Sequence, residues 1–220
     1  PGSDIIQNVS KSLVSTLVEL HNVNIEKANL KDLGNINGYV KRQVEGWIKR
    51  YNHSKTDNIS NMDIISSWLY ENQPSEVGSS IVHNDFKYDN LVLDKDDFSK
   101  ISAVLDWEMA TIGDPFMDLG TTLGYWVDKN DLPALKLFQL SATTWDGNPS
   151  REGILELYEK ESGKSIRNPV FYYVFGLFKI AVIAQQIYFR YKKGFTKDKR
   201  FDLLNLAVMS LSIMAKQDID

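Results

Sequence analysis

The residues best equipped for chemistry sit between Ile81 and Asp94, in the run Ile-Val-His-Asn-Asp-Phe-Lys-Tyr-Asp-Asn-Leu-Val-Leu-Asp. A second acidic cluster, Val104-Leu105-Asp106-Trp107-Glu108, follows shortly after it. Phosphoryl transfer to a hydroxyl leaves a protein little covalent work, so catalysis there is positioning plus neutralisation of charge. It needs a carboxylate to orient the acceptor hydroxyl and take its proton, a role open to Asp85. It also needs hard oxygen donors for magnesium. Asn90 lies one tight loop beyond Asp85, and Asp106 offers a second oxygen from a neighbouring strand. Magnesium favours such sparse carboxylate and amide sets, completed by phosphate and water.

Those groups need a rigid base, and the hydrophobic pattern supplies one. Ile5, Val9, Leu13, Leu17 and Leu20 recur at helical spacing and predict a helix over roughly Asp4 to Asn22. An Asn- and Gly-rich loop to Gly38 follows, then a helix marked by Tyr39, Val40, Val44, Trp47, Ile48 and Tyr51. A third carries Ile64, Ile65, Trp68 and Leu69 inward and stops near Pro74. At Ser79 the period changes, and Ser80–His83, Asn90–Leu93 and Ile101–Leu105 read as short strands, with a hairpin turn at Asp94-Lys95-Asp96-Asp97. Helix resumes after Gly113-Asp114-Pro115, with Asp114 as N-cap and Pro115 at the first helical position. Further helices are expected over Ala134 to Leu140, Arg151 to Glu161, Pro169 to Lys193 and Asp202 to Lys216. The predicted class is α+β, mainly α-helical, with a small embedded β-sheet in a single lobe spanning residues 1–220.

Composition narrows the function. At 220 residues, 43% hydrophobic and 25% charged, the chain is long enough to bury its own core. A net charge of −4 provides no basic field and argues against nucleic acid as partner. The absence of cysteine removes disulfides, thiolate zinc and cysteine nucleophiles, and suits a cytoplasmic location. The polar start Pro1-Gly2-Ser3-Asp4 predicts no leader peptide. The most apolar run, Pro169 to Ala184, is interrupted by Lys179 and short for a bilayer, so a buried helix is expected and no membrane partner.

The order His-x-Asp-x-x-x-x-Asn, a strand, then hydrophobic-Asp-x-Glu resembles the catalytic arrangement of the protein-kinase-like superfamily. The form here is similar to the aminoglycoside phosphotransferase and choline kinase branch, which carries Trp-Glu after the metal aspartate. Val104 to Pro115 with Asp118-Leu119-Gly120, Leu17 to Asn24 and Tyr39 to Tyr51 look most like the phosphotransferase domain fused to certain acyl-CoA dehydrogenases. This resemblance implies Asp85 as catalytic base, Asn90 and Asp106 as magnesium and nucleotide ligands, and His83 as buttress of the catalytic loop. It implies that Asp118 fixes the loop backbone. Lys87 stands where some protein kinases place a lysine facing the γ-phosphate, and Asn84 where relatives often carry glycine. The cofactors implied are ATP and Mg2+, with a small-molecule hydroxyl as acceptor, aminoglycoside, choline-like or hydroxyacyl. No glycine-rich strand pair precedes Asp85. The resemblance therefore implies a C-terminal lobe alone, partnered by an N-terminal nucleotide lobe absent from this chain and inactive without it.

Plainer readings stand beside these. His83 on its own is more often structural than catalytic, and Asp89, Asp94, Asp96 and Asp97 read as turn and solvent carboxylates. Glu108 either assists a second magnesium or ties down the chain. Trp107, Tyr125, Trp126, Trp145, Phe171, Tyr172 and Tyr173 could line an acceptor pocket or cage a quaternary ammonium, though core packing explains most of them. The basic stretch from Lys192 to Arg200 reads as solvated surface. Two other function classes compete with the phosphotransferase: a non-catalytic, pseudokinase-like binding or regulatory domain, and a metal-dependent hydrolase using His83, Asp85 and Asp106. The hydrolase has only three histidines to draw on, and two of them, His21 and His53, fall in helical or loop regions with no acidic partner expected nearby.

Overall fold

The computed structural model describes residues 2–35, 37–137 and 141–220. Three helices come first, as the apolar spacing requires: α1 (Ser3–His21), α2 (Tyr39–Ser54) and α3 (Ser60–Glu71). α1 buries Ile6, Val9, Leu13, Leu17 and His21, a single stripe at three- and four-residue spacing. Its last buried position is polar, which becomes important at the site.

Four short strands follow: β1 (Ser80–Val82), β2 (Leu91–Leu93), β3 (Ile101–Val104) and β4 (Thr111–Gly113). They pair as two separate antiparallel ladders, β1 with β4 and β2 with β3, rather than as the one small sheet expected. The break has a local cause. A 3-10 turn at Tyr88–Asn90 redirects the chain before β2, so Asn90 precedes its strand instead of opening it. After β3, Asp106 adopts the left-handed conformation (φ 67°, ψ 50°) and a second 3-10 turn spans Trp107–Met109. The β2–β3 connection is the expected hairpin. Asp94 Oδ1 accepts from the Asp96 and Asp97 N–H groups, and the Asp94 N–H donates to Lys100 O at 2.8 Å.

The remaining helices are α4 (Pro115–Tyr125), α5 (Pro133–Leu137), α6 (Arg151–Ser162), α7 (Pro169–Lys192) and α8 (Leu204–Gln217). Asp114 caps α4 by accepting from the Phe116 N–H at 2.9 Å, with Pro115 in the first turn. The expected helix from Ala134 to Leu140 is described only as α5; residues 138–140 lie outside the described residues. α8 begins later than Asp202 because Asp198 caps a 3-10 turn over Lys199–Leu203 first.

α7 is the hub, packed against α4, α8, α2 and α3. It is apolar on nearly every face, which marks a helix enclosed by others. By length and composition it could cross a bilayer, yet 67% of its most apolar stretch is buried inside the protein. α4 approaches it backbone to backbone. A Cβ added at Gly120 would strike the Tyr172 carbonyl, and one at Gly176 would strike the Gly120 carbonyl. Only glycine permits that separation. The close crossing puts polar groups of both helices beneath the loop that leaves β1.

Candidate active site

Residues 83–90 join β1 to β2, and buried side chains account for their backbone polar groups almost individually. The Asp118 carboxylate on α4 accepts from the His83 and Asn84 N–H groups, both at 2.7 Å. The Lys179 ammonium on α7 donates to Asn84 O at 2.7 Å, and Thr122 Oγ1 on α4 donates to Phe86 O at 2.9 Å. The Asp85 N–H donates to His83 Nδ1 at 3.2 Å, while Asn90 Nδ2 donates to Asp85 O at 2.8 Å. His83 Nε2 in turn donates to Leu105 O at 2.8 Å. A carbonyl can only accept, so the ring proton sits on Nε2 and Nδ1 is left as acceptor. Phe86 is fully buried and adds about 1.5–3 kcal/mol of apolar burial that holds the loop down. An irregular segment without these partners would leave buried peptide groups unpaired.

Asp118 itself is fully buried. Burial alone would raise its pKa, but hydrogen bonds from His21 and the loop backbone, with the His21 and Lys179 charges, bring it below the usual value. His21 Nε2 stands 3.2 Å from Asp118 Oδ2, and its Nδ1 lies 2.7 Å from the Tyr158 hydroxyl. His21 therefore does have an acidic partner, contrary to the sequence expectation. The partner is 97 residues away and packing alone brings it near.

Above this anchored base stand the reactive candidates. Asp85 is only partly buried, and Lys87 Nζ reaches both of its carboxylate oxygens at 2.9 and 2.8 Å. Asn90 Nδ2 donates to Asp85 Oδ2 at 2.9 Å as well as to its carbonyl. Lys87 also sits 4.5 Å above the Tyr125 ring. The Tyr125 hydroxyl faces Asp85, and burial followed by that carboxylate drives its pKa well above the ordinary tyrosine value. Of the aromatic residues singled out above, Tyr125 is thus the one beside Asp85. Phe171 and Tyr172 are core, Trp126 packs on Tyr88, and Trp107 packs at a tilt against His83 with ring centroids 4.8 Å apart.

Asp106 follows β3 after one residue, Leu105, whose N–H donates to Asn90 O at 2.8 Å and so ties the backbone before Asp106 to that of Asn90. Asp106 and Glu108 are exposed, and neither carboxylate hydrogen-bonds or ion-pairs with another described residue. Asn90 spends both amide hydrogens on Asp85, which leaves its Oδ1 free to accept. Hard oxygens without protein partners are what a magnesium ion requires. Among the described residues no three His, Asp or Glu side chains gather to hold a metal. The amide–carboxylate set at Asn90 and Asp106 would need phosphate and water to complete it.

Sequence reading missed Lys179, His21, Tyr39 and Thr122 as site-building residues. Lys179 carried a signal as the charge interrupting an otherwise apolar helix, while His21 and Tyr39 lay in segments singled out by resemblance but were given no role. Tyr39 donates from its hydroxyl to Asn84 Oδ1 at 3.2 Å, and Asn84 adopts φ 67°, the conformation a glycine would take without strain.

A helical lobe with an aspartate–asparagine loop seated on a buried aspartate defines a protein-kinase-like phosphotransferase fold. Residues 3–152 match the signature of the family described as "Phosphotransferase enzyme family", and the chain belongs to that family. Among curated proteins it is 34% identical over 186 residues to acyl-CoA dehydrogenase family member 11 of Pongo abelii, covering 83% of this chain. The chain spans only about a quarter of that relative's length, 24%. Among solved structures, a candidate aminoglycoside phosphotransferase of Ralstonia eutropha superposes with TM-score 0.87 at 28% identity, over 99% of this chain and 66% of its own. Choline kinase from Cryptosporidium parvum shares the fold with TM-score 0.63 at 10% identity, over 97% of this chain and 66% of its own.

Proposed function

We propose that this chain is the catalytic-loop lobe of a kinase that moves the γ-phosphate of ATP to a hydroxyl of a small molecule. The observation that carries the reading is Asn90, which clamps Asp85 through both its carbonyl and its carboxylate, while its own carbonyl accepts from the N–H of Leu105, the residue before Asp106. Asp85 would orient the acceptor hydroxyl and accept its proton at a carboxylate oxygen. Asn90 Oδ1 and Asp106 would hold magnesium, with Glu108 within the same turn as an additional ligand. When bound, the ion neutralises the phosphate charge that opposes attack. Lys87 now occupies both Asp85 oxygens. In the nucleotide complex it would turn to the γ-phosphate and free Asp85 for the acceptor. The phosphate-covering lobe would come from chain outside these 220 residues, in keeping with the 66% of the Ralstonia neighbour that this chain spans.

The test is a screen of the full-length protein with labelled ATP and magnesium against aminoglycosides, amino alcohols and hydroxyacyl compounds. Label on one acceptor class, lost on chelating magnesium, is the expected outcome. Release of phosphate to water alone, with no acceptor labelled, would favour a different reaction.

A further inference from the structure

We propose that Lys179 is a positioning residue for Asp85, holding from the central helix α7 the peptide bond that immediately precedes the catalytic carboxylate. The proposal rests on Asp85 being the base, and it deepens that reading by naming what aims it.

Lys179 sits midway along α7 and is 1% exposed. Its neighbours on that helix, Phe175, Phe178 and Val182, are ordinary core residues, and a methionine or leucine would fill the same space. A buried ammonium is unfavourable unless its protons are all accepted. Here they are: Nζ lies 2.7 Å from Asn84 O, 3.3 Å from Asn84 Oδ1 and 3.4 Å from Thr121 Oγ1. Its one short bond is to the Asn84 carbonyl and not to a carboxylate, and no ion pair joins it to a described acid. The charge therefore serves a loop peptide.

The same residue, Asn84, has its N–H fixed by Asp118, its side-chain oxygen by Tyr39 and its amide nitrogen by Met109 O at 3.1 Å. With φ at 67° it lies in the left-handed region, which asparagine enters more readily than most side chains, and these contacts fix the peptide plane leading into Asp85. Lys179 supplies the contact on the carbonyl side of that plane. Asp118 on α4, Asp85 and Lys87 on the loop, and Arg50 on α2 all act on its charge, and the Trp47 ring lies 5.6 Å away. Burial pushes its pKa down to about 8, with the two aspartates opposing. The contact should therefore weaken within reach of ordinary buffers.

Two readouts decide the matter. In the isolated 220-residue chain, the carbon-detected correlation linking the Asn84 carbonyl to the Asp85 nitrogen should titrate with a midpoint near pH 8. Lys179→Met should abolish the titration, and Lys179→Arg should keep the low-pH position throughout. A wild-type correlation flat from pH 7 to about 11, beyond the ordinary lysine range, overturns the proposal without any variant having to fold. In the full-length protein, Lys179→Met should lower kcat at least tenfold with KM for nucleotide and acceptor unchanged, and Lys179→Arg should restore most of it. Unchanged kcat per folded molecule overturns the proposal, whatever the loss of stability. Absence of turnover in the wild-type protein counts against the phosphotransfer reading instead, and the loop titration then still decides Lys179.

Discussion

Asp118 does the most for the site without touching any reactant, because it binds two successive loop N–H groups and a buried histidine at once. Asp118→Ala would orphan all three in a buried part of the fold. We expect it to destabilise the fold by about 3–5 kcal/mol, read by urea unfolding. The pH behaviour follows from the sign of its shift. Its folded pKa lies below the ordinary 3.8, so its contribution is complete above that value. It is lost as pH falls through the lower folded value, and acid unfolding of the wild type should show it. The Asp114 carboxylate, which accepts from the Phe116 and Val77 N–H groups at 2.9 and 3.0 Å, has a smaller structural task. Asp114→Ala should remove about 1–2 kcal/mol, the size of a lost cap.

The α4–α7 crossing turns residue chemistry into geometry. Gly120 and Gly176 bring the helices together so closely that Asp118, Thr122 and Lys179 reach one loop from two directions. Gly176→Ala meets no flexible side chain among its nearest atoms, only the Gly120 and Thr121 backbone. It should lower stability by about 1–3 kcal/mol in thermal or urea unfolding, and with it the exchange protection of residues 83–86. This crossing also marks how far the sequence could be read. Helix positions followed from apolar spacing, and Asp114-Pro115 announced α4, since both signals are local. The close approach was not legible, for a glycine looks alike in a helix contact and in a solvent-facing turn. The split of the strands into two ladders was hidden for a similar reason: it depends on Asp106 turning left-handed, which no periodicity records. Among candidate site residues, Asp85 and Asn90 stood out by their spacing, and Asp118 through the family resemblance alone. Tyr39 and His21 were not, because each meets its partner only through tertiary packing.

Taken whole, the lobe is a core helix surrounded by others, with a polar vein from His21 through Asp118 and Asn84 to Lys179 crossing an apolar interior. That vein gives the molecule a distinctive alkaline profile. Lys179 releases its proton near pH 8 in the folded chain but near 10.5 when unfolded. The unfolded chain then holds the extra proton between those values, and stability should rise with pH across that window. The buried tyrosines Tyr39, Tyr125 and Tyr158, all raised by burial, act oppositely above pH 10, where the unfolded chain ionises first. Urea midpoints measured from pH 7 to 11 should climb above pH 8 and fall past 10. Lys179→Met should lose the climb and keep the fall.

The central claim is that Asp85 takes the proton of an acceptor hydroxyl during phosphate transfer. Its most direct test compares kcat of the full-length protein with that of Asp85→Asn on the acceptor the screen identifies, at saturating ATP and magnesium. A loss of about a hundredfold to ten-thousandfold, the usual reach of a positioned base, with nucleotide affinity unchanged, is the predicted result. A turnover within a few-fold of wild type would contradict it.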